Sequence, residues 1–384
     1  MKDALDVVMA YQLRNPDTTD TDAAIEAVKQ KRGELSSALV RHFLKLTIRP
    51  LFQKTKPKNV TEAGRKREGE QLPPKLSMQS TSEEETKPWK SSHQTHALSL
   101  LKWVVSALHE QTGLIEEVWH LVIPPILTMI DDWEVKYKVL GAKLSSDILR
   151  VTPPILLERT GLGEVFEEAL VPCLSYLPTI TPEDEAIELL DNVYPALLAL
   201  SRTRYPKNIP KESRRDAAEV ERQRTKFLDM ILRKGVFYGS EHCGLQYPRL
   251  QGVTLTHAVS LLNEMGIESV KHLKYTLPML NSILSPSLIA MPPETLCSAT
   301  KAVQAVIVNG WPRMSEHRGE VLKGITLCWI NVDGLSGKAT EELKRELKTA
   351  AQLLRAALKD QAAFDEETKV LMDADARLEG LLKA

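Results

Sequence analysis

Between Leu114 and Val151 the apolar positions recur at helical spacing in two runs separated by Asp131 and Asp132. Leu114, Val118, Val122, Pro125 and Met129 share one side of the first run, and Ile115, Trp119, Ile126 and Ile130 widen that stripe. Val135, Val139, Ala142 and Leu149 form the stripe of the second. A two-helix hairpin of this kind cannot bury its apolar face alone and must stack on similar units. Pro124 and Pro125 remove backbone donors and predict a bend in the first helix. Asp131 with Glu134 has the spacing of a capping box, and either aspartate can satisfy the free amides of the second helix. Gly141, costing about 1 kcal/mol relative to alanine, fits a close helix approach.

The same pattern continues to the C-terminus. Helices are expected over 98–108, 164–176, 183–202, 214–238, 251–265, 267–284, 294–309, 313–330 and 340–358. The GVFYGSEHCG segment reads as a turn between helices. Prolines fall mid-helix again near Pro172 and Pro278. First helices of successive pairs start near 114, 164, 214, 267 and 313, a period of about 50, slightly longer than that of HEAT and armadillo arrays. Alternating strand patterns are nearly absent. The fold expected is all-α: a HEAT-like right-handed α-solenoid of about five or more helix pairs over 96–384. Residues 1–52 read as two or three short helices, with Asp20 and Asp22 as caps, Leu35, Leu39, Phe43 and Leu46 at helical spacing, and Pro50 closing the block. Residues 53–95, rich in Lys, Pro, Ser and Glu, read as a disordered polar linker.

Composition narrows the function. Fifty basic and 51 acidic residues in 384 give a net charge of -1, which argues against a nucleic-acid binder. Cys173, Cys243, Cys297 and Cys328 are far apart and form no CxxC pair, as expected for reduced thiols in a cytoplasmic or nuclear protein. The N-terminus does not resemble a secretory signal, and no run of about 18 apolar residues suggests a membrane span. No phosphate loop, dinucleotide fingerprint, nucleophile elbow or zinc-protease motif occurs. His93 and His96 lack a nearby cysteine, and Ser240-Glu241-His242-Cys243 reads as a polar turn, not a catalytic group. Lys211–Lys226 reads as a solvated face with mixed charges. No cofactor or metal is expected, nor an enzyme. Interface chemistry is better represented: Trp311, Arg313, His317 and Arg318 form one candidate partner-binding cluster, and Tyr238, Tyr247 and Arg249 a second.

The segments DDWEVKYKVLGAKLSSDIL, SRTRYP, KGVFYGSEHCG, MGIESVKHLKYTLPML and WPRMSEHRGEVLKGITLCW, in that order, resemble the Tti-two family, the second Tel-interacting protein, over roughly 97–335. The resemblance implies a non-catalytic HEAT-repeat subunit of the TTT cochaperone complex. Its direct partner would be the Tti-one HEAT-repeat subunit. The Tel-two subunit, the ninety-kilodalton heat-shock chaperone with its AAA-ATPase adaptor, and phosphatidylinositol-kinase-related kinase clients of the TOR, ATM and ATR types would follow indirectly. A transport or phosphatase scaffold is the alternative, but cargo carriers usually show an acidic bias that this chain lacks.

Overall fold

The computed structural model describes residues 21–55, 57, 59–67, 87–91, 95–210, 213, 215–285 and 291–383, with side chains almost throughout from residue 30. Among these every regular element is helical, apart from one isolated bridge between Val60 and Lys66. The chain divides into two compact units, Met1–Thr128 and Met129–Ala384. Residues 1–20, and the linker expectation over 68–86, lie outside the described residues.

In the first unit, helix α1 (Thr21–His42) runs through a π turn (Phe43–Ile48) into α2 (Arg49–Phe52), one helical run where short helices were expected. The wider turn just before Pro50 lets the ring fit without ending the run, with Arg49 N–H bonding back to the Leu44 carbonyl. The buried side chains are Val40, Leu44, Ile48 and Phe52. The stripe expected from spacing, Leu35, Leu39, Phe43 and Leu46, lies on another face, because periodicity reports a stripe without saying what covers it. The described parts of 53–95 carry order that composition did not suggest. Trp89 is fully buried, stacks on Phe52 at 5.1 Å, and donates from Nε1 to Thr55 Oγ1 at 3.2 Å. Gly64 adopts φ +67°, and a Cβ there would lie 2.8 Å from His120 Cα.

Helices α3 (Thr95–Glu110) and α4 (Ile115–Ile130) follow. Residues Thr112–Ile130 are long and apolar enough to cross a membrane, contrary to the count of apolar runs. However, 78% of that window is buried in the protein, the signature of a core helix. Pro124 and Pro125 lie inside α4, where Thr128 Oγ1 donates to the Pro124 carbonyl at 2.8 Å.

The second unit opens with α5 (Val135–Val151), whose N-cap is Glu134 and not Asp131, so the expected capping box does not start the helix. Asp132 instead accepts from the Glu134 N–H at 3.0 Å, and buried Lys138 donates to the Ile130 carbonyl at 2.6 Å. The chain continues through α6 (Pro154–Thr160), α7 (Leu162–Leu170) and a 3-10 turn at Val171–Ser175 holding Pro172, which is therefore not mid-helix. Then come α8 (Glu183–Arg204), α9 (Ala217–Ile231), α10 (Tyr238–Cys243) and α11 (Pro248–Met265). The final set is α12 (Leu273–Leu284), α13 (Pro293–Gly310), α14 (Met314–Val332), α15 (Lys338–Ala357), α16 (Gln361–Ala374) and α17 (Glu379–Leu382). Helices α5, α8, α11, α13 and α15 pack in sequence as one row. The elements between them form a second, in which the 3-10 turn at Val171–Ser175 meets the π turn at Leu232–Phe237 and α12 meets α14.

GVFYGSEHCG is helical as far as Cys243, not a turn. Its glycines mark a close crossing: Gly235 lies against buried Tyr194 of α8. Gly244, at φ +50°, ends the helix.

Candidate partner-binding surface

The first row is stitched by polar contacts one helix apart. Thr203 Oγ1 donates to the Leu149 carbonyl at 2.7 Å, between α8 and α5. His257 of α11 meets Asp191 of α8 at 2.9 Å, with its ring stacked on Tyr194 at 4.9 Å. Gln304 of α13 reaches Glu346 of α15 at 2.9 Å, and Lys301 reaches Glu342 at 3.2 Å. The densest knot is ionic. Arg224 of α9 donates to the Glu264 carboxylate at 2.9 Å, and Arg202 of α8 pairs with the same group at 2.7 Å. Burial works to raise the Glu264 pKa, but the two guanidinium groups outweigh it and hold the carboxyl below its ordinary range. His257 is lowered by burial, with the Asp191 bond offsetting only part. Lys211–Lys226 is therefore not solvated throughout, since Arg224 is 5% exposed.

The two candidate clusters lie on this frame as follows. Tyr238 opens α10, half exposed, with its ring stacked on His242 one turn later. His242 contacts the Pro178 carbonyl, and Arg249 at the start of α11 pairs with Asp184 at 2.8 Å. The first contact reaches the segment leading into α8, which holds exposed Ile180, and the second reaches the first turn of α8. Tyr247 is the half-buried N-cap residue of α11. Trp311, 56% exposed, lies in the 3-10 turn Trp311–Arg313 between α13 and α14. Arg313 is held by Glu316 at 2.8 Å and His317 by Glu320 at 3.2 Å. Arg318 forms a two-pronged pair with Glu367 of α16, at 2.6 Å.

The structure does not bring the clusters together. Helices α11 and α13 run in the same direction: Thr295 Oγ1 donates to the Pro248 carbonyl at their starts, and Asn309 bonds Asn263 at their ends. Tyr247 and Arg249 sit at one end and Trp311 at the other, about 27 Å apart at 1.5 Å per residue. Ile267 and Val308 add exposed apolar surface near the Trp311 end. Neither was visible in sequence, because each belongs to a helical pattern whose other members are buried.

The residues weighed for catalysis are engaged separately. Ser240 Oγ accepts from Gln251 Nε2 at 2.8 Å, His242 faces a carbonyl, and Cys243 is buried. Burial pushes the thiols of Cys173 and Cys243 up to about 11 and Cys328 up to about 12, which keeps them protonated at neutral pH. Among the described residues no group of three or more His, Cys, Asp or Glu is placed to hold a metal ion.

The Tti2 family model matches residues 4–290, most of the chain, and the chain belongs to that family. The match includes Tyr238, Tyr247 and Arg249 and ends before Trp311. No solved structure matches the chain.

Proposed function

We propose that this member of the Tti2 family is a non-catalytic scaffold of the TTT cochaperone complex, built as a HEAT-like right-handed α-solenoid. Its work is to present fixed helical surface to the larger Tti-one-type repeat subunit. Through that subunit it supports folding and assembly of phosphatidylinositol-kinase-related kinases by the Tel-two subunit and the heat-shock chaperone with its adaptor. The observation that carries the reading is the family match over 4–290. The two rows of packed helices supply the rigidity such a role needs, because each helix of the first row is bonded to its neighbour by named polar pairs. Obligate contacts between such arrays bury upwards of about 2,000 Å². Residence in cytoplasm and nucleus belongs to the same proposal, and a fluorescent fusion at native expression reads it.

Co-expression with the Tti-one-type subunit tests the role. The expected result is one peak holding both chains on gel filtration at moderate salt. Separate elution of two folded proteins would overturn it.

A further inference from the structure

The run of helix from α1 through the π turn into α2 carries two apolar stripes, one buried and one partly exposed. Val40, Leu44, Ile48 and Phe52 are buried. Leu35, Leu39, Phe43 and Leu46 recur one turn apart on another face, with Leu35 49% and Leu46 65% exposed and the other two half-buried. Trp103 of α3, 39% exposed, meets Phe43 edge-on at 5.7 Å and extends the surface onto a second helix. From Leu35 to Leu46 the stripe runs about 16 Å, three turns of helix.

Its borders have one dominant sign. Lys31, Arg32, Lys45 and Arg49 of the α1–α2 run and Lys102 of α3 are all exposed. The acid on the same stretch of helix is Glu34, which accepts from Gln30 at 3.2 Å. Arg41 is committed elsewhere, donating from Nε and Nη2 to the two Glu117 carboxylate oxygens at 2.7 Å. A narrow apolar seam with cationic flanks is complementary to a helix whose apolar anchors repeat at i, i+3/i+4 and i+7 and whose flanks are acidic.

We propose that this stripe is a docking groove for an acidic amphipathic helix of the larger repeat subunit, a proposal that rests on the complex membership inferred above. Charge selects the acidic partner. Width separates a helix from a lipid surface: on its own helix the seam is one residue wide per turn, widened at Phe43 by Trp103, as a helix pair needs, whereas an interfacial membrane helix presents a broad apolar face.

The test uses the full chain, with affinity for the purified Tti-one-type subunit measured by calorimetry. Leu35→Glu with Leu46→Glu changes two exposed positions and should leave the circular dichroism melt unchanged while weakening binding at least 100-fold. Lys31→Glu with Lys45→Glu, which touches no core side chain, should weaken it about 10-fold and flatten its salt dependence. Wild-type affinity in both variants would overturn the groove and leave the complex intact; absence of binding by the wild type would overturn both proposals. Two further results would overturn the helix partner, given unchanged subunit affinity of the leucine variant. One is its loss of sedimentation with phosphatidylserine vesicles that bind the wild type. The other is faster deuterium uptake at 35–46 when residues 1–20 are deleted.

Discussion

The Tyr194 hydroxyl occupies the place a side chain on Gly235 would need: a Cβ there would lie 2.7 Å from the oxygen and 3.0 Å from the ring carbon. Tyr194 is buried to 1% exposure, so it has little room to retreat. Gly235→Ala is therefore expected to destabilise the chain by about 1–3 kcal/mol in guanidinium unfolding. Gly319, in α14 with nothing within 4 Å of its Cβ position, is the contrast. Gly319→Ala should stabilise by about 0.5–1 kcal/mol. Equal effects at the two positions would remove the close-crossing explanation.

The Arg224–Glu264–Arg202 knot predicts strong coupling. Glu264→Leu takes from the buried Arg224 its less exposed carboxylate, leaving it Glu221 at 3.1 Å and the main-chain carbonyl of residue 264 at 2.9 Å, and should cost about 2 kcal/mol. Replacing Arg224 with Leu as well should recover most of that loss, because a well-packed apolar pair needs no desolvation. Additive losses in the double variant would mean that the knot is not one unit.

Stability should fall in two stages on acidification. The neutral form of His257 is favoured by burial, so its folded pKa lies below the ordinary 6.5. The unfolded chain then takes up this proton first, and stability declines as pH drops below about 6.5. Glu264, also depressed, adds a second decline below its ordinary 4.5, as the folded state resists a proton that the unfolded state accepts. Chemical unfolding midpoints measured against pH should lose the first stage in His257→Gln and keep the second. A first stage unchanged in that variant would assign it to another group.

The two surface clusters, at opposite ends of α11 and α13, predict separable effects. Trp311→Ala with Arg313→Glu should leave the melt native, since Trp311 is exposed and Arg313 is paired only within its own turn. If that end faces the partner, pull-down falls while Tyr238→Ala with Arg249→Glu acts independently of it. Unchanged pull-down with a native melt removes the Trp311 surface from the interface.

Much of the helical order was legible because long amphipathic runs carry their own period. The second helices of the pairs, at α8, α11, α13 and α15, begin within three residues of expectation. The misreadings share a physical cause: local pattern does not say what lies opposite. Gly235 and Gly239 resembled a turn, but one of them is a crossing point against Tyr194. Asp131 and Glu134 matched a capping box, yet Asp132 holds the turn. Leu35, Leu39, Phe43 and Leu46 carried the right period, while Val40 and Leu44 took the core. Of the site, the exposed aromatics Tyr238 and Trp311 were legible from composition, but the ion pairs of Arg249 with Asp184 and of Arg318 with Glu367 join residues far apart in the chain, which spacing cannot supply.

The central claim is that this chain functions as a stable subunit of a larger assembly. Affinity purification of the tagged chain at native expression, with its partners identified by mass spectrometry, tests it most directly. The account predicts near-stoichiometric recovery of the Tti-one-type subunit, with the Tel-two subunit beside it at moderate salt. Recovery of the chain alone, or with transport or phosphatase subunits in their place, would contradict it.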